Sequence, residues 1–327
     1  MPKRAVVLLQ LGGPDSLDAV EPFLYNLFSD PDIIDLPGAF LFRKRLARMI
    51  SARRAPKVED LYRRIGGRSP ILPQTLAQAE SLKKELEQKG HPMHVTVAMR
   101  YWHPFTDEII QELLAQSVDG AILLPLYPHY SRSTTGSSVN EWKRTLKRLN
   151  ASQLQWRLIE HYYDHPLYIE AVVERIREVL EDIPAEERSA VHLVFSAHGT
   201  PVKLVKAGDP YASQVRRTYE LVVERGEFGL PHHLCFQSKV GPQRWLEPSL
   251  TQTIRQLGEA HVTHAVVIPI SFVSDHIETL SEINIEAREE AHTVGISSFA
   301  MTEPLLISKP FIGCLADLVI NHAGGKT

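Results

Sequence analysis

The sequence predicts an α/β protein made of two similar halves, each a parallel, doubly wound sheet. Three observations carry that expectation. Short apolar, β-branched runs recur at 5–11, 95–99, 121–126, 154–159, 191–195, 232–236, 262–268 and 295–299. Amphipathic stretches with helical periodicity separate them, at 17–28, 73–88, 106–116, 139–149, 167–181, 211–225, 249–257 and 277–291. Strand and helix in steady alternation imply parallel pairing with helices on the sheet faces. The halves also open alike, with Val7-Leu8-Leu9-Gln10-Leu11-Gly12-Gly13-Pro14 in one and Leu193-Val194-Phe195-Ser196-Ala197-His198-Gly199-Thr200-Pro201 in the other. That is a weak internal repeat.

Composition narrows the class. The chain has 327 residues, 43% apolar and 23% charged, values typical of a soluble globular protein long enough for two domains. A formal charge of -3 gives no pull toward nucleic acid, and none is expected as a partner. The two cysteines, Cys235 and Cys314, lie in apolar segments and form no Cys-x-x-Cys pair, which excludes a disulfide framework and fits a reducing compartment. Met1-Pro2-Lys3-Arg4 runs straight into a strand, so no signal peptide is expected. No apolar run approaches the roughly 20 residues that span a bilayer. A cytoplasmic protein is the expectation.

In the first half, Gly12-Gly13-Pro14 turns the chain after its first strand, and Asp15 or Ser16 can cap the helix that follows. Residues 34–57 read as a basic amphipathic helix. Leu36, Phe40, Leu41, Phe42, Leu46, Met49 and Ile50 alternate there with Arg43, Lys44, Arg45, Arg48, Arg53, Arg54 and Lys57. This pattern suits an anionic membrane surface, a lip over an apolar ligand, or an ordinary surface helix. Tyr62 to Pro70 reads as a basic, glycine-containing turn. Arg100-Tyr101-Trp102-His103-Pro104 follows a strand; its arginine and aromatics fit either a planar anionic ligand or a packed, hydrogen-bonded corner. Ser131 to Ser138 reads as a hydroxyl-rich loop, and 160–168 as the crossover between halves.

In the second half, the strand at 191–195 stops at Ser196-Ala197-His198-Gly199-Thr200-Pro201. Ligands of open α/β sheets bind outside the carboxyl ends of strands, where His198 falls. A histidine there serves as a base or metal ligand, or as a turn residue bonded to its own loop. After the strand ending at 268 comes Ser271-Phe272-Val273-Ser274-Asp275-His276-Ile277-Glu278. Asp275 and Glu278 have capping-box spacing. Glu278, Glu282 and Glu286 recur every fourth residue, a costly alignment of like charge unless the face is solvated or a divalent cation uses it. A base, carboxylates and an aromatic wall together suit deprotonating a flat apolar ligand while a metal is delivered.

At this point the chain resembles the ferrochelatases, which insert Fe(II) into a porphyrin at the end of haem synthesis. The similarity lies in Leu8 to Pro14, Tyr62-Arg63-Arg64-Ile65-Gly66-Gly67, Arg100 to Pro104, Ser196 to Pro201, Phe236-Gln237-Ser238-Lys239-Val240-Gly241-Pro242 with Trp245-Leu246, and Ser274-Asp275-His276-Ile277-Glu278-Thr279-Leu280. The resemblance implies two similar Rossmann-like domains with parallel sheets and a porphyrin cleft between them. Residues 1–165 would form the first with its lip, 166–304 the second, and 305–327 a helix packing back across the body. It makes His198 and Glu278 the catalytic pair and metal ligands, with Glu282 and Glu286 as the delivery path. Asp275 and His276 hold that pair, Phe272 is a pocket aromatic, and Arg100 and Tyr101 belong to the opposite wall. The implied substrates are protoporphyrin IX and Fe(II), with coproporphyrin III or another tetrapyrrole as alternatives. A porphyrin-binding protein without chemistry would have no use for the acidic row. Some ferrochelatases hold an iron–sulfur cluster on clustered C-terminal cysteines; with Cys314 alone there, none is expected. Arg68 stands where the family pattern suggests a third glycine. An anionic membrane surface, on the inner membrane, is a further expected partner.

Overall fold

The computed structural model describes residues 3–33, 42–239 and 243–324. The chain divides into two compact units, residues 1–161 with 312–327, and residues 162–311.

In the first unit the strands are β1 (Arg4–Gln10), β2 (His94–Met99), β3 (Gly120–Pro125) and β4 (Gln155–Leu158), and the helices are α1 (Val20–Ser29), α2 (Arg43–Arg64), α3 (Ile71–Gln88), α4 (Thr106–Ala115) and α5 (Ser137–Arg148). The second unit holds α6 (Pro166–Glu181), β5 (Val191–His198), α7 (Val202–Lys206), α8 (Tyr211–Gly226), β6 (His232–Gln237), α9 (Leu250–Glu259), β7 (His264–Pro269), α10 (Arg288–Thr293) and β8 (Ser298–Met301). The last helix is α11 (Lys309–Ala323). Both sheets are four-stranded and parallel, ordered β2-β1-β3-β4 and β6-β5-β7-β8. The repeat suggested by the opening motifs is therefore a repeat of topology. In each sheet the winding reverses between the first and third strands, which opens a crevice at their carboxyl ends.

The strands form because their side chains are buried on both faces. Ala5, Val6, Val7 and Leu8 are wholly inaccessible, as a central parallel strand requires. One face of the first sheet packs Val7, Leu9, Leu123 and Trp142 into a core; Val194, Val267, Ile254 and Phe299 do the same in the second.

Several elements differ from expectation. Helix α1 starts at Val20, with Ala19 at its N-cap and no side-chain cap, because backbone turns close on Ser16 and Leu17 instead. Of the expected basic helix, residues 34–41, including Leu36, Phe40 and Leu41, lie outside the described residues. Helix α2 runs from Arg43 through Pro56 to Arg64 and so absorbs the start of the expected turn. Its buried side is Ala47, Ser51, Ala55 and Tyr62, and the first three are small enough to allow close approach of α1. Phe42 and Met49, expected on the apolar side, are 62% and 63% exposed. Arg48 and Arg54 lie over the rings of Tyr25 and Phe28. The turn after α2 needs glycine at Gly66 (φ 100°) and Gly67 (φ 81°), whereas Arg68 is not at positive φ and tolerates a side chain. The hydroxyl-rich loop is helical: a π-helical turn, Arg132–Gly136, leads directly into α5. The helix expected at 277–291 is π-helical over Glu278–Ala287 and only then becomes α10. Each unit thus carries a π-helical segment after its third strand. Strand β8 starts at Ser298 because Gly295, at φ 92°, first turns the chain out of α10.

No helix among the described residues is long and apolar enough to cross a membrane. The carboxyl end of α11 is tied down by cations. Arg4 donates to the Ala323 carbonyl (2.6 Å), Arg157 to the His322 carbonyl (2.7 Å), and Lys89 pairs with Asp317 (2.9 Å). The two arginines satisfy orphan carbonyls at the negative end of the helix dipole. Replacing Arg4 by Ala should lower stability by about 1 kcal/mol, a drop of about 2–4 °C in Tm. Thermal unfolding followed by circular dichroism checks it; an unchanged midpoint would show that the clamp is immaterial.

Candidate active site

Strand β5 pairs with β6 as far as His198 opposite Gln237, but with β7 only as far as Ser196 opposite Pro269. Beyond Pro269, Ile270 N–H donates to the Ser196 carbonyl (3.0 Å), and the chain then leaves the sheet. The next rung is made by a side chain: His198 N–H donates to Ser271 Oγ at 2.9 Å. A hydroxyl thus satisfies a backbone donor that would otherwise be orphaned. Immediately after, Gly199 N–H donates to the Gln237 carbonyl (2.7 Å). A Cβ at Gly199 would sit 2.7 Å from that oxygen and 3.3 Å from the Trp245 ring, so only glycine fits. His198 is therefore fixed at the crevice between β5 and β7.

The imidazole of His198 is half-buried, and burial pushes its pKa down to about 4. His276 is buried, and burial, with the nearby His198 as a lesser cause, takes it to about 3. Phe272 presents edge-on contacts to both, with ring centroids 6.2 Å from His198 and 5.0 Å from His276. Both histidines are consequently neutral at pH 7, with a lone pair for a proton or a metal.

Glu278 opens the π-helical segment. The expected capping box is not formed. Thr279 Oγ1 accepts the His276 N–H (3.0 Å) and lies 3.3 Å from Asp275 Oδ1, so threonine rather than Glu278 closes this turn. The Glu278 carboxylate is left half-buried, and burial raises its pKa despite a hydrogen bond from its own backbone N–H. Glu282 is pushed up to about 7, first by burial; Ser238 Oγ–H, which it accepts, works against the shift, while Glu278 and Glu286 add to it. Glu286 is exposed. A π-helix closes on i→i+5 bonds, so every fourth residue falls just short of a full turn and the carboxylates stay on one side. They form a row from solvent at Glu286 inward to Glu278.

In the first unit, Arg100 and Tyr101 form the packed, hydrogen-bonded corner. The Arg100 guanidinium pairs with Asp30 (2.9 Å), donates through Nε to Ser137 (2.8 Å) and lies over the Tyr101 ring. Tyr101 is 1% exposed, and its hydroxyl donates to Asp30 (2.6 Å). Burial alone would raise the Asp30 pKa, but Arg100, Ser137 and Tyr101 hold it below the usual carboxylate value. Tyr101 is thus enclosed, while Arg100 is 11% exposed and lines a cavity with Asp30, Glu141 and Arg144.

Sequence reading missed Ser271, Ser238 and Thr279. Pro269 at a strand end was the available signal for the first, since a proline there cannot extend the ladder.

A histidine at the carboxyl end of β5 and a row of carboxylates following the neighbouring β7 sit here on an α/β protein of chelatase fold. Solved structures agree on the fold: SirB from Bacillus subtilis (TM-score 0.56, 11% identity, 99% of this chain and 98% of that one) and CbiX (TM-score 0.52, 12% identity, 99% and 100%). The ferrochelatase family model matches residues 3–323. The chain is 47% identical to the ferrochelatase of Aquifex aeolicus (98% of this chain, 99% of the relative) and 49% identical to that of Geobacter metallireducens (97% and 98%). This chain belongs to the ferrochelatase family.

Two outcomes follow from the geometry. Ser271→Ala removes the rung that fixes His198 and should lower kcat roughly 10-fold or more, the scale of a modest misplacement. Steady-state kinetics beside an unchanged circular dichroism spectrum would show it; full activity would deny Ser271 a positioning role. Glu282 binds protons more tightly folded than unfolded, so its penalty is absent below pH 4.5 and complete above about pH 7. Glu282→Gln should therefore gain on the order of 1–3 kcal/mol over wild type at pH 8. Urea titrations at both pH values test this, with the gain expected to vanish at pH 4.5.

Proposed function

We propose that the chain inserts Fe(II) into protoporphyrin IX, forming protohaem and releasing the two protons of the pyrrole nitrogens. The reading is carried by the neutral His198 imidazole, in the same unit as carboxylates whose proton affinity is raised by burial, in a chain related to ferrochelatases over nearly its full length. Coproporphyrin III is the competing substrate, and offering both porphyrins side by side separates them. Val240, Gly241 and Pro242, part of one segment that carries the family resemblance, lie outside the described residues.

In this reading His198 takes the first pyrrole proton, because its ring is neutral at working pH. Glu278, with its raised proton affinity, takes the second and shares Fe(II), the substrate metal, with His198. Phe272 and His276 hold the His198 ring against rotation, and Asp275, through Thr279, holds the entry to the π-helical segment. Glu286 and Glu282 pass the cation inward along the row. No iron–sulfur centre belongs to this scheme. Supporting that, Cys235 and Cys314 are both fully buried, and burial pushes the Cys235 thiol up to about 12, far from the thiolate a cluster needs.

His198→Ala should abolish metalloporphyrin formation. Glu278→Gln should lose about 10²-fold or more, as for a general acid or base. Both are read by absorbance during porphyrin metallation. An active His198→Ala protein overturns the base assignment, and an active Glu278→Gln protein shows that the charge is dispensable.

We further place the protein in the cytoplasm, associating reversibly with the inner membrane through α2. Supporting this, Phe42 and Met49 are exposed beside Lys44, Arg45, Arg48, Arg53 and Arg54. Each cation near an anionic surface contributes about 1 kcal/mol, screened by salt. Wild type should co-sediment with anionic liposomes at low salt, and the protein with Arg43, Arg45 and Arg48 changed to Glu should not. Failure of both to bind would make α2 an ordinary surface helix.

A further inference from the structure

The second sheet carries another pair of histidines at its opposite edge. His192 is the second residue of β5 and His233 the second of β6. Register sets Val194 beside His233, so residues 192, 194 and 233 project from the same face of the sheet. Nδ1 of His192 and Nε2 of His233 lie 3.0 Å apart. The ring planes differ by 8° with centroids 5.2 Å apart. That separation exceeds the nitrogen–nitrogen distance by about one ring width, so the rings meet edge to edge, nitrogen facing nitrogen.

We propose that His192 and His233 form a second binding site for a late first-row divalent cation, zinc or copper, distinct from the site at His198. Imidazole nitrogen is a preferred donor for these metals. Two bonds of about 2.0–2.1 Å at a tetrahedral angle put the donor nitrogens about 3.3 Å apart. Bringing both lone pairs onto one cation therefore takes a swing of about 35° in each ring together with a few tenths of an ångström of separation. Both rings must carry their proton on the far nitrogen, Nε2 of His192 and Nδ1 of His233. A neutral imidazole makes that tautomeric change without net gain or loss of a proton. Burial lowers the proton affinity of both rings, which keeps them neutral and available. Both are half-buried, so water reaches the pair and can complete the coordination. Among the described residues no third histidine, cysteine or carboxylate joins them, which fits a reversible site rather than a permanent structural one.

The position separates this site from the chemistry. His192 and His198 are six residues apart on one strand, about 20 Å at the usual rise per residue. A cation held at His192 cannot touch the one handled at His198.

The test is a titration of the whole protein with Zn(II) and, separately, Cu(II). Wild type should bind one equivalent more than His192→Gln or His233→Gln, and each variant should weaken that equivalent by about 10-fold or more. Copper bound to wild type should show electron paramagnetic resonance couplings from two imidazole nitrogens, reduced to one in either variant. Porphyrin metallation should be unchanged in both. His198→Ala should keep the extra equivalent, which ties it to the far edge of the sheet. Equal stoichiometry in wild type and both variants, or two-nitrogen couplings that persist in them, overturns the proposal.

Discussion

Pro269 brings no N–H to the ladder between β5 and β7, and the chain leaves the sheet one residue later. His198 would then project beyond the last rung with an unpaired amide, were it not for the hydroxyl of Ser271. The site depends on that substitution of side chain for strand. It stops β7 early enough to open a crevice, yet anchors the β5 backbone where the imidazole must be held. Gly199 serves the same constraint from the other side, since any larger residue would push the loop off Gln237.

The electrostatics follow from burial more than from pairing. Burial lowers the proton affinity of His198 and His276 and raises that of Glu278 and Glu282. In the proposed function, a cation entering along the row would supply the charge that makes ionised carboxylates favourable. The alignment of like residues, costly in an ordinary helix, is eased where burial favours the protonated form, as at Glu278 and Glu282. The first unit shows the contrast. There Asp30 is fully paired with Arg100, Ser137 and Tyr101, and the result is a rigid, satisfied corner.

Much of this was legible from residue order. Strand and helix alternation predicted two parallel sheets, and His198 after an apolar run placed itself at a strand end. Glu278, Glu282 and Glu286 advertised a shared face by spacing alone. What the sequence hid was geometry of two kinds. The π-helical winding over 278–287 has the same periodicity signature as an α-helix at a spacing of four, so nothing in the pattern distinguished them. The orientation of α2 depended on packing against α1, where the small residues Ala47, Ser51 and Ala55 outcompeted the larger apolar ones for the contact. The corner at Arg100 needed Asp30, seventy residues away in sequence, and no local motif announces such a partner.

The grouping of α11 with the first unit has a consequence for how the chain comes to be. That unit is interrupted: residues 162–311 are emitted between its body and its final helix. On a ribosome the intervening stretch takes on the order of ten seconds to synthesise. Through that interval Arg4 and Arg157 wait without the carbonyls of Ala323 and His322 that they eventually hold. The half that is made first is thus completed last, and the second unit is free to assume its form while its elder neighbour is still unfinished.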